Sequence, residues 1–532
     1  MEWLQSFVTN YLNFFHPLTP AGKEFQKIGW NSYLVNHFHE NFLLIWIGII
    51  FFALLLRRVH WLNSSFSEMD IPEKYLKIFI LSCFLWCTCF VYYVFFHQLG
   101  GVPHIPDNIA CFTQAKLNAH GFFFGLPLPR EWEDTLVRGF MLKANKKLIC
   151  IYPFGYPLFL TPFAFFNCLG LSLFFILALN FFAFGRLQKL FNFSEGESFL
   201  FWLLLTSSPA FLFLSAFPYS QALALFLTNM VLYFALSKQS FIAGIFSTLL
   251  FTVRPLDGVV AAIFILYTCR SNLKSLIYSS ILLSSGPVML WFYNLKITGI
   301  PGVSTYSLYS PYIKPGFSAL VGMKIPFGHN LFSAFNNFFL NMAVMNEDLL
   351  GWPFLSILPL LILLFLSLKN PGVSESNIIK PLFLFTGIFC LAYACYFNHG
   401  VSVGARFYHP LLGIFLILTV ICSRHFKQFR LFLIIPLLIS SFSFSIIERA
   451  TTLKDYEYVL SYPLGNSKID VEKNIYVIFD NELGHRFLFD SFYYLNKPWT
   501  GRLDFVTNKT FSKIKARESR KVIGMEFSNF QK

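Results

Sequence analysis

Charged side chains are scarce in this chain, and several familiar motifs are missing. Asp, Glu, Lys and Arg make up only 13% of the 532 residues, whereas a soluble protein usually carries about 25%. The ten cysteines form no CxxC pair and no zinc-ligand spacing, so they give no reason to expect a zinc site. No Walker or Rossmann glycine pattern stands in a suitable loop, and nucleotide binding is not expected. The pattern of a cleavable signal peptide is also lacking, so the first apolar segments are expected to direct insertion.

Apolar side chains take the place of the missing charge. The chain is 55% hydrophobic and 20% aromatic, with a mean hydropathy of +0.57. Apolar stretches recur between residues 42 and 447, and many approach the roughly 20 residues needed to cross about 30 Å of hydrocarbon. The composition therefore predicts an all-α polytopic membrane protein. It disfavours the alternative, a soluble helical protein with a very large core.

The net charge of +14 has an explanation that needs no nucleic-acid partner. Much of the excess lies in short loops between apolar segments, and Lys/Arg-rich loops stay on the cytoplasmic side of a membrane. Placing these loops inside predicts both termini outside and a re-entrant or interfacial segment at 154–168. It also predicts about twelve transmembrane helices, at 42–56, 76–97, 170–185, 198–215, 219–236, 240–253, 255–269, 275–294, 352–368, 381–397, 407–423 and 431–447.

The long polar segments all fall on the predicted outer side. The transmembrane domain, 1–447, is expected to carry two long extracytoplasmic loops, 98–153 and 295–351. Function in helical membrane proteins tends to lie where irregular backbone lines a cavity, which directs attention to these loops and to 398–406. The remainder, 448–532, is expected to form a small extracytoplasmic α/β domain.

Within that C-terminal domain the apolar pattern suggests only short elements. Residues 474–479 read as a strand, and 490–495 as a short helix or a second strand.

Asp107 stands just after the predicted helix at 76–97, at the start of the first outer loop. Apolar and small residues at 109, 112, 115, 117 and 119 predict an amphipathic helix lying in the membrane interface, with Gly121 as its C-cap. Pro106 places the carboxylate near the start of that helix, where capping free N–H groups is the simpler role. A carboxylate at the membrane surface is also well placed to accept a proton from a substrate hydroxyl.

At this point the sequence resembles a family. Pro106-Asp107, Gln114-Ala115, Gly121 and Tyr152-Pro153-Phe154-Gly155-Tyr156-Pro157-Leu158 resemble the first periplasmic loop of GT-C glycosyltransferases. The likeness is to the bacterial aminoarabinose transferases and protein O-mannosyltransferases, which use polyprenyl-phosphate sugars. Further matches follow in the same order, over roughly residues 76 to 425: Ser208-Pro209 with the turn at 215–220, Arg254-Pro255, Thr298-Gly299-Ile300-Pro301, Leu350-Gly351-Trp352-Pro353, and Gly404-Ala405-Arg406-Phe407-Tyr408 with Pro410.

The resemblance implies a GT-C fold and a multi-pass glycosyltransferase of the bacterial inner membrane, with its active site facing the periplasm. Such an enzyme would move a sugar from a polyprenyl-phosphate carrier to a lipid, glycan or protein acceptor. Asp107 would be the catalytic base that deprotonates the acceptor hydroxyl as the lipid phosphate leaves. The candidate donor-phosphate and substrate-binding residues are Arg406, Arg254, Lys324, Tyr152, Tyr156 and His399.

No cofactor is expected, and no metal-ligand set is predicted. Members of the family often carry a second acidic residue beside the first, and here Asn108 stands at that position. Asn cannot act as a base or bind a divalent metal strongly. A metal is therefore not indicated, and Asp107 is left as the base without a second carboxylate beside it.

Several of these residues keep a structural alternative. Arg254 and Asp257 are one turn apart, so Arg254 either pairs with that carboxylate or lines a donor cavity. Lone histidines at helix ends are more often structural, which applies to His399. Glu347-Asp348 precedes a predicted helix, where a charge favoured by the helix dipole is preferred over an acid/base or metal pair.

Cys111 and Cys150 flank the loop that follows Asp107. Two free thiols are favoured for them, with a disulfide as the alternative if the loop faces an oxidising compartment.

Two other functions compete with the transferase. A transporter or flippase of lipid-linked glycans tends to show inverted repeats and polar residues at mid-membrane in broken helices. This chain instead gathers its charged residues at the outer helix ends. The second rival is an inactive GT-C homologue that binds a lipid-linked glycan without turnover, an alternative that Asn108 leaves open.

Overall fold

The computed structural model describes residues 71–98, 101, 103, 106–127, 140–322, 328–350, 356–369, 376–398, 400–402 and 404–425, together with 475–479, 503–507 and 521–525. Over these residues the protein is mostly helical, with few strands. The predicted crossings at 42–56 and 431–447 lie outside the described residues, as do 490–495 and the proposed domain boundary after 447.

The helices follow one another along the chain with short connections. They are α1 (Glu73–Tyr92, continued by a π-helical segment at Tyr93–Gln98), α2 (Pro106–Ala119), α3 (Gly155–Phe165), α4 (Leu171–Leu190), α5 (Glu195–Ser207), α6 (Pro209–Ala216), α7 (Ser220–Leu236), α8 (Ser240–Val253), α9 (Pro255–Cys269), α10 (Leu273–Thr298), α11 (Thr305–Tyr309), α12 (Leu331–Leu350), α13 (Leu358–Lys369), α14 (Ser376–Ala394) and α15 (Leu412–His425), with a 3-10 turn at His409–Leu411. The strands are β1 (Leu126–Pro127), β2 (Met141–Ala144), β3 (Lys147–Cys150), β4 (Val401–Ser402), β5 (Gly404–Ala405), β6 (Ile475–Phe479), β7 (Leu503–Thr507) and β8 (Lys521–Met525).

Helix length and composition support a membrane protein. Within the described part of the chain, three helices are long and apolar enough to cross a membrane: residues 73–97, α4 and α10. The bent pair α5 and α6 adds a fourth if it counts as one span, and six further apolar helices have 10–17 residues. The predicted total of about twelve crossings is not confirmed.

Several helix boundaries match the predicted segments closely. Helices α7, α8 and α9 coincide with the predicted segments at 219–236, 240–253 and 255–269 to within one residue. Local chemistry explains the ends. Pro255 occupies the first turn of α9, where its missing N–H costs nothing. Gly299 ends α10 with a φ of 72°, a left-handed conformation that glycine adopts without strain.

The predicted crossings at 198–215 and 407–423 differ from the observed helices in ways that the local sequence explains. The segment 198–215 is not one helix, because α5 and α6 meet at an angle of 54°. Ser208 between them is extended, as the residue before Pro209 usually is, and Pro209 has no N–H to continue the ladder. The segment 407–423 begins later than predicted, since α15 starts at Leu412 after a turn and the 3-10 segment.

The first loop folds into a helix and a small sheet that pack against each other. The helix expected after Asp107 is present as α2. Residues 108–115 are all buried against protein, so this helix is not exposed as the amphipathic pattern suggested. Its location in the membrane interface stays a prediction. Helix α2 packs on α3 and β3. At 11 residues, α3 falls short of the roughly 20 needed to span a bilayer, as expected for a re-entrant or interfacial segment.

The small sheet of the first loop is antiparallel, in the order β1-β3-β2. Strands β2 and β3 form a hairpin in which Met141 lies opposite Cys150. The C-terminal strands form a separate parallel sheet in the order β7-β6-β8. Strand β6 confirms the strand predicted at 474–479.

The chain forms two compact units. One is drawn from Met1–Cys87, Phe181–Leu214 and Lys314–Glu448, the other from Thr88–Asn180, Ser215–Ile313 and Arg449–Lys532. In the first unit α15 packs against α5 and α13, and α12 packs against α14 and β5. In the second unit α7 is the central helix, with nearly every side chain buried, and α8 contacts α7, α9 and α10.

Candidate active site

Asp107 lies in the first turn of α2 and is half-buried. Its helical face carries three further polar or thiol side chains, Cys111, Gln114 and Asn118. The spacings of four, three and four residues align these side chains along one side of a helix. Cys111 and Gln114 are buried and Asp107 and Asn118 are half-buried, so Asp107 stands at one end of a polar stripe whose middle is enclosed by protein.

Side-chain hydrogen bonds fix this stripe to the neighbouring elements. The buried Gln114 Oε1 accepts the backbone N–H of Cys150 at 3.0 Å, and Gln114 Nε2 donates to Asn118 Oδ1 at 2.9 Å. Asn118 in turn donates to Thr161 Oγ1 on α3 at 3.2 Å. Helix α2 is thus bonded to β3 at one point and to α3 at another, which determines where Asp107 stands.

Asn108, beside Asp107, is a buried amide with an unsatisfied donor. Its side chain is 3% exposed, and within the described residues its Nδ2 has no hydrogen-bond partner. A buried polar group usually finds a partner, because leaving one unpaired costs about 1–3 kcal/mol. A donor of this kind, next to a carboxylate, suits a hydroxyl-bearing ligand.

Helix α3 links the first loop to two other helix ends. The hydroxyl of the buried Tyr156 donates to the carbonyl of Pro218 at 2.8 Å, in the turn between α6 and α7. Gly155 approaches the end of α8 so closely that a β-carbon there would lie 2.6 Å from the carbonyl carbon of Thr252. Only glycine permits that approach.

The β2–β3 hairpin makes corresponding contacts with the end of α10. Asn145 Nδ2 donates to the carbonyl of Ile297 at 2.7 Å. Thr305 Oγ1, just after α10, donates to the carbonyl of Ile151 at 2.6 Å. The first loop, the turn at 217–219, the end of α8 and the segment after α10 therefore pack together. These are the segments that the charge pattern assigned to one face.

Arg254 and Asp257 form the ion pair that the sequence offered as one alternative. Arg254 Nε donates to Asp257 Oδ2 at 2.8 Å, with the two side chains 10% and 0% exposed. The pair occupies the corner between α8 and α9, where Arg254 is extended and Asp257 lies in the first turn of α9. The pairing satisfies the buried carboxylate. A role for Arg254 in lining a donor cavity stays a prediction.

Tyr152 and Tyr156, the two tyrosines among the candidate substrate-binding residues, have different surroundings. Tyr152 is half-buried, and its ring packs edge-on against Phe140 and Tyr306, with ring centroids 5.7 and 5.5 Å apart. Tyr156 is 2% exposed, and its hydroxyl is engaged by Pro218. The Tyr156 contact is structural, whereas Tyr152 keeps part of its surface open to a ligand.

Arg406 belongs to the first unit, not to the unit of Asp107. It follows β5 and is half-buried. Its Nε donates to the carbonyl of Gly400 at 2.9 Å, and its guanidinium carbon lies 5.3 Å from the centre of the Phe407 ring. These contacts hold the side chain in a turn just before α15. His399 and Lys324 lie outside the described residues.

Glu347 and Asp348 are within α12, not ahead of a helix as the sequence suggested. The N-terminal dipole interpretation of this pair is therefore wrong.

Sequence reasoning missed two residues that organise the site. The sequence pointed to Gln114 only as part of the Gln114-Ala115 motif. Its bond to Cys150 joins positions far apart in the chain. Thr305 was not considered. A usable signal existed for Gln114, because its spacing from Asp107 and Asn118 places all three on one helical face. No comparable signal marks Thr305.

Among the residues that the structure describes, no group of three His, Cys, Asp or Glu side chains is arranged to hold a metal ion. No family model matches the chain, and neither a curated protein nor a solved structure is significantly similar to it.

Proposed function

We propose that this protein is a GT-C-type integral membrane glycosyltransferase that transfers a sugar from a polyprenyl-phosphate carrier to a lipid, glycan or protein acceptor. The observation that carries the proposal is the surroundings of Asp107. Asp107 is a half-buried carboxylate in the first turn of α2, and α2 packs on α3 and β3. Helix α3 and the β2–β3 hairpin in turn contact the ends of α8 and α10 and the turn at 217–219. In the proposal this end of the bundle faces the periplasm of a bacterial inner membrane.

Asp107 acts in the proposed reaction as the general base. The carboxylate accepts the proton of the acceptor hydroxyl, the oxygen attacks the anomeric carbon, and the lipid phosphate leaves with the electron pair of the broken bond. A well-placed base contributes about 10² to 10⁴-fold to the rate. The amide of Asn108, whose Nδ2 has no partner within the described residues, is suited to orient the acceptor oxygen.

The leaving phosphate needs a cation close to the membrane surface. Arg406 is the partner that the resemblance implies, because a guanidinium can bind phosphate oxygens through two parallel N–H bonds. Arg254 is a weaker candidate, since Asp257 already neutralises it. Tyr152 is proposed to face the sugar, while Lys324 and His399 stay candidates from the sequence alone.

One observation favours the transporter instead. Thr228 and Asn229, both completely buried in the middle of α7, have side-chain atoms without hydrogen-bond partners among the described residues. Polar groups at this depth are costly and often mark a substrate path. A transporter would move the lipid-linked glycan without breaking its glycosidic bond, so the two functions differ in their products.

The test uses purified protein in nanodiscs with radiolabelled polyprenyl-phosphate sugars and membrane-extracted acceptors. The transferase is supported if radiolabel leaves the carrier and appears on an acceptor. Saturable binding of the carrier without transfer indicates the inactive homologue. Movement of intact carrier between the leaflets of proteoliposomes, again without transfer, indicates the flippase.

Sidedness is tested separately on the exposed end of α2. A cysteine placed at His120 should react with a membrane-impermeant maleimide added from the periplasmic side, above the background of the unmodified protein. Reaction only from the cytoplasmic side contradicts the proposed location.

A further inference from the structure

The β2–β3 hairpin of the first loop is packed on the last turns of α10. Leu142 and Ile149, which lie opposite each other across the hairpin, share a buried apolar cluster with Ile297 of that helix. At the turn of the hairpin, Asn145 Nδ2 donates to the carbonyl of Ile297 at 2.7 Å. The turn is therefore fixed beside the C-terminal end of α10.

Two lysines stand at this turn. Asn145 and Lys146 occupy its two central positions, with φ values of 48° and 59°. A positive φ at both positions is the mark of a type I′ turn, which joins antiparallel strands without splaying them. Lys146 is exposed, and Lys147, the next residue, is half-buried. Within the described part of the chain, neither ammonium group has a hydrogen bond or an ion pair that would neutralise it.

A third lysine, Lys296, lies in the last turn of α10. It is exposed, and its ammonium nitrogen lies 5.4 Å from the centre of the Phe292 ring. Lys296 directly precedes Ile297, whose carbonyl accepts the bond from the turn, so the three lysines are gathered at one corner of the molecule. The segments that form this corner cannot offset its charge, because no Asp or Glu occurs in residues 135–194 or 258–346.

The composition of α10 supports a position for this corner at the level of the lipid headgroups. The helix is long and apolar enough to cross a membrane, and few of its side chains are buried inside the protein. Near its C-terminal end Trp291 and Phe292 are 48% and 49% exposed, and tryptophan is enriched at membrane–water interfaces. Lys296 follows Trp291 at a distance of about 7.5 Å along the helix axis. A lysine there can keep its carbon chain in the apolar layer while its ammonium group reaches the headgroups.

We propose that Lys146, Lys147 and Lys296 form a surface that binds the phosphate groups of anionic membrane lipids and so docks the hairpin on the membrane. Ammonium groups bind phosphate oxygens through charge-assisted hydrogen bonds, and each lysine close to an anionic leaflet favours the docked state about fivefold. The N–H of Cys150, at the far end of the hairpin, donates to Gln114 of α2 at 3.0 Å, so docking also sets the height of α2 above the lipid. Such docking requires α10 to cross the membrane and does not depend on whether the protein transfers sugar.

The test locates the bound lipid on the full-length protein. The protein is placed in phosphatidylcholine nanodiscs that contain a small share of a phosphatidylglycerol analogue with a photoreactive diazirine on its headgroup. After illumination and digestion, mass spectrometry identifies the labelled peptides, and a phosphatidylcholine analogue with the same diazirine is the matched lipid. The peptides that contain Lys146, Lys147 and Lys296 should be labelled at least about tenfold more by the anionic lipid than by the zwitterionic one.

Charge-neutral variants test whether the lysines cause this preference. Lys146→Gln should lower the ratio of anionic to zwitterionic labelling about fivefold, and the triple variant with Lys147→Gln and Lys296→Gln should bring the ratio close to one. Lys77→Gln is the matched control, because that exposed lysine is already paired with Glu73 at 2.9 Å, and it should leave the ratio unchanged. If the triple variant fails to fold, the single Lys146→Gln change still decides the outcome.

Equal labelling of these peptides by the two lipids, or no labelling of them by either, overturns the proposal. The same holds if Lys146→Gln keeps the ratio of the wild type. A last arm separates a membrane surface from a site for soluble phosphate. Glycerol 3-phosphate, added at constant ionic strength and at the concentration of the anionic lipid, should not reduce the labelling. Complete competition by it would show that the lysines bind a free phosphate ester and would contradict membrane docking.

Discussion

Replacing Arg424 with methionine removes one side of a buried ion pair with Glu197. Arg424, at the end of α15, donates from Nε to Glu197 Oε1 at 2.7 Å and from a terminal nitrogen to Oε2 at 2.9 Å. The same terminal nitrogen also reaches the carbonyls of Phe191 and Asn192, just beyond α4. Glu197 closes a capping box with Ser194 at the start of α5. One guanidinium therefore connects three helix ends.

The expected loss of stability follows from how deeply the ion pair is buried. The side chain of Glu197 is 4% exposed and that of Arg424 is 20% exposed. Breaking a buried pair by removing one partner typically costs about 3–5 kcal/mol, because the other charge is left uncompensated. Since Arg424 keeps some contact with solvent, we expect Arg424→Met to lower the free energy of unfolding by about 3 kcal/mol. Adding Glu197→Gln to Arg424→Met should recover part of the loss, because no buried charge remains and Gln preserves the capping box.

The assay is unfolding in mixed micelles titrated with sodium dodecyl sulfate, followed by far-ultraviolet circular dichroism. Lys77→Met is the matched control, since Lys77 pairs with Glu73 at 2.9 Å but both side chains are mostly exposed. Its unfolding curve should coincide with that of the wild type. If Arg424→Met also coincides with the wild type, or if the double variant is less stable than the single one, the reasoning from burial is refuted.

Further variants test how the first loop is fixed. Tyr156→Phe leaves the carbonyl of Pro218 without its donor and should destabilise the protein by about 1–3 kcal/mol in the same titration; an unchanged midpoint would show that another donor replaces the hydroxyl. Gly155→Ala should be more damaging, because the new β-carbon would overlap the backbone of Thr252. The comparison with Gly185→Ala, where nothing lies within 4 Å, checks that steric origin, and equal losses for the two alanines would contradict it.

The helix ends were predictable wherever a residue marks them chemically. Pro255 begins α9 at the predicted residue, whereas Gly299 ends α10 beyond the predicted boundary at 294. The break at Ser208-Pro209 carried the same kind of signal. It was overlooked because the apolar run continues through it, and hydropathy does not register the angle that a proline imposes.

The burial of α2 was not predictable in the same way. A helix containing Asn108 and Gln114 has the pattern of an exposed or interfacial element. It is buried because Gln114 bonds Cys150 and Asn118 bonds Thr161, partners that only the tertiary structure supplies. Likewise, the sequence placed Asp107 on an outer loop. The contacts that join the first loop to the ends of α8 and α10 come from turns and strand ends, which have no hydrophobic periodicity to predict them.

The role of Asp107 as general base is tested by the initial rate of sugar transfer from a polyprenyl-phosphate donor, measured for the wild type and for Asp107→Asn. Donor binding should be measured first and found equal in the two proteins, because Asn keeps the size of the side chain and removes only its basicity. We expect the rate of the variant to fall by about 10² to 10⁴-fold. Adding Asn118→Asp to Asp107→Asn, which places a carboxylate farther along the same helical face, should not restore the rate. Equal rates for the wild type and Asp107→Asn would show that Asp107 is not the general base.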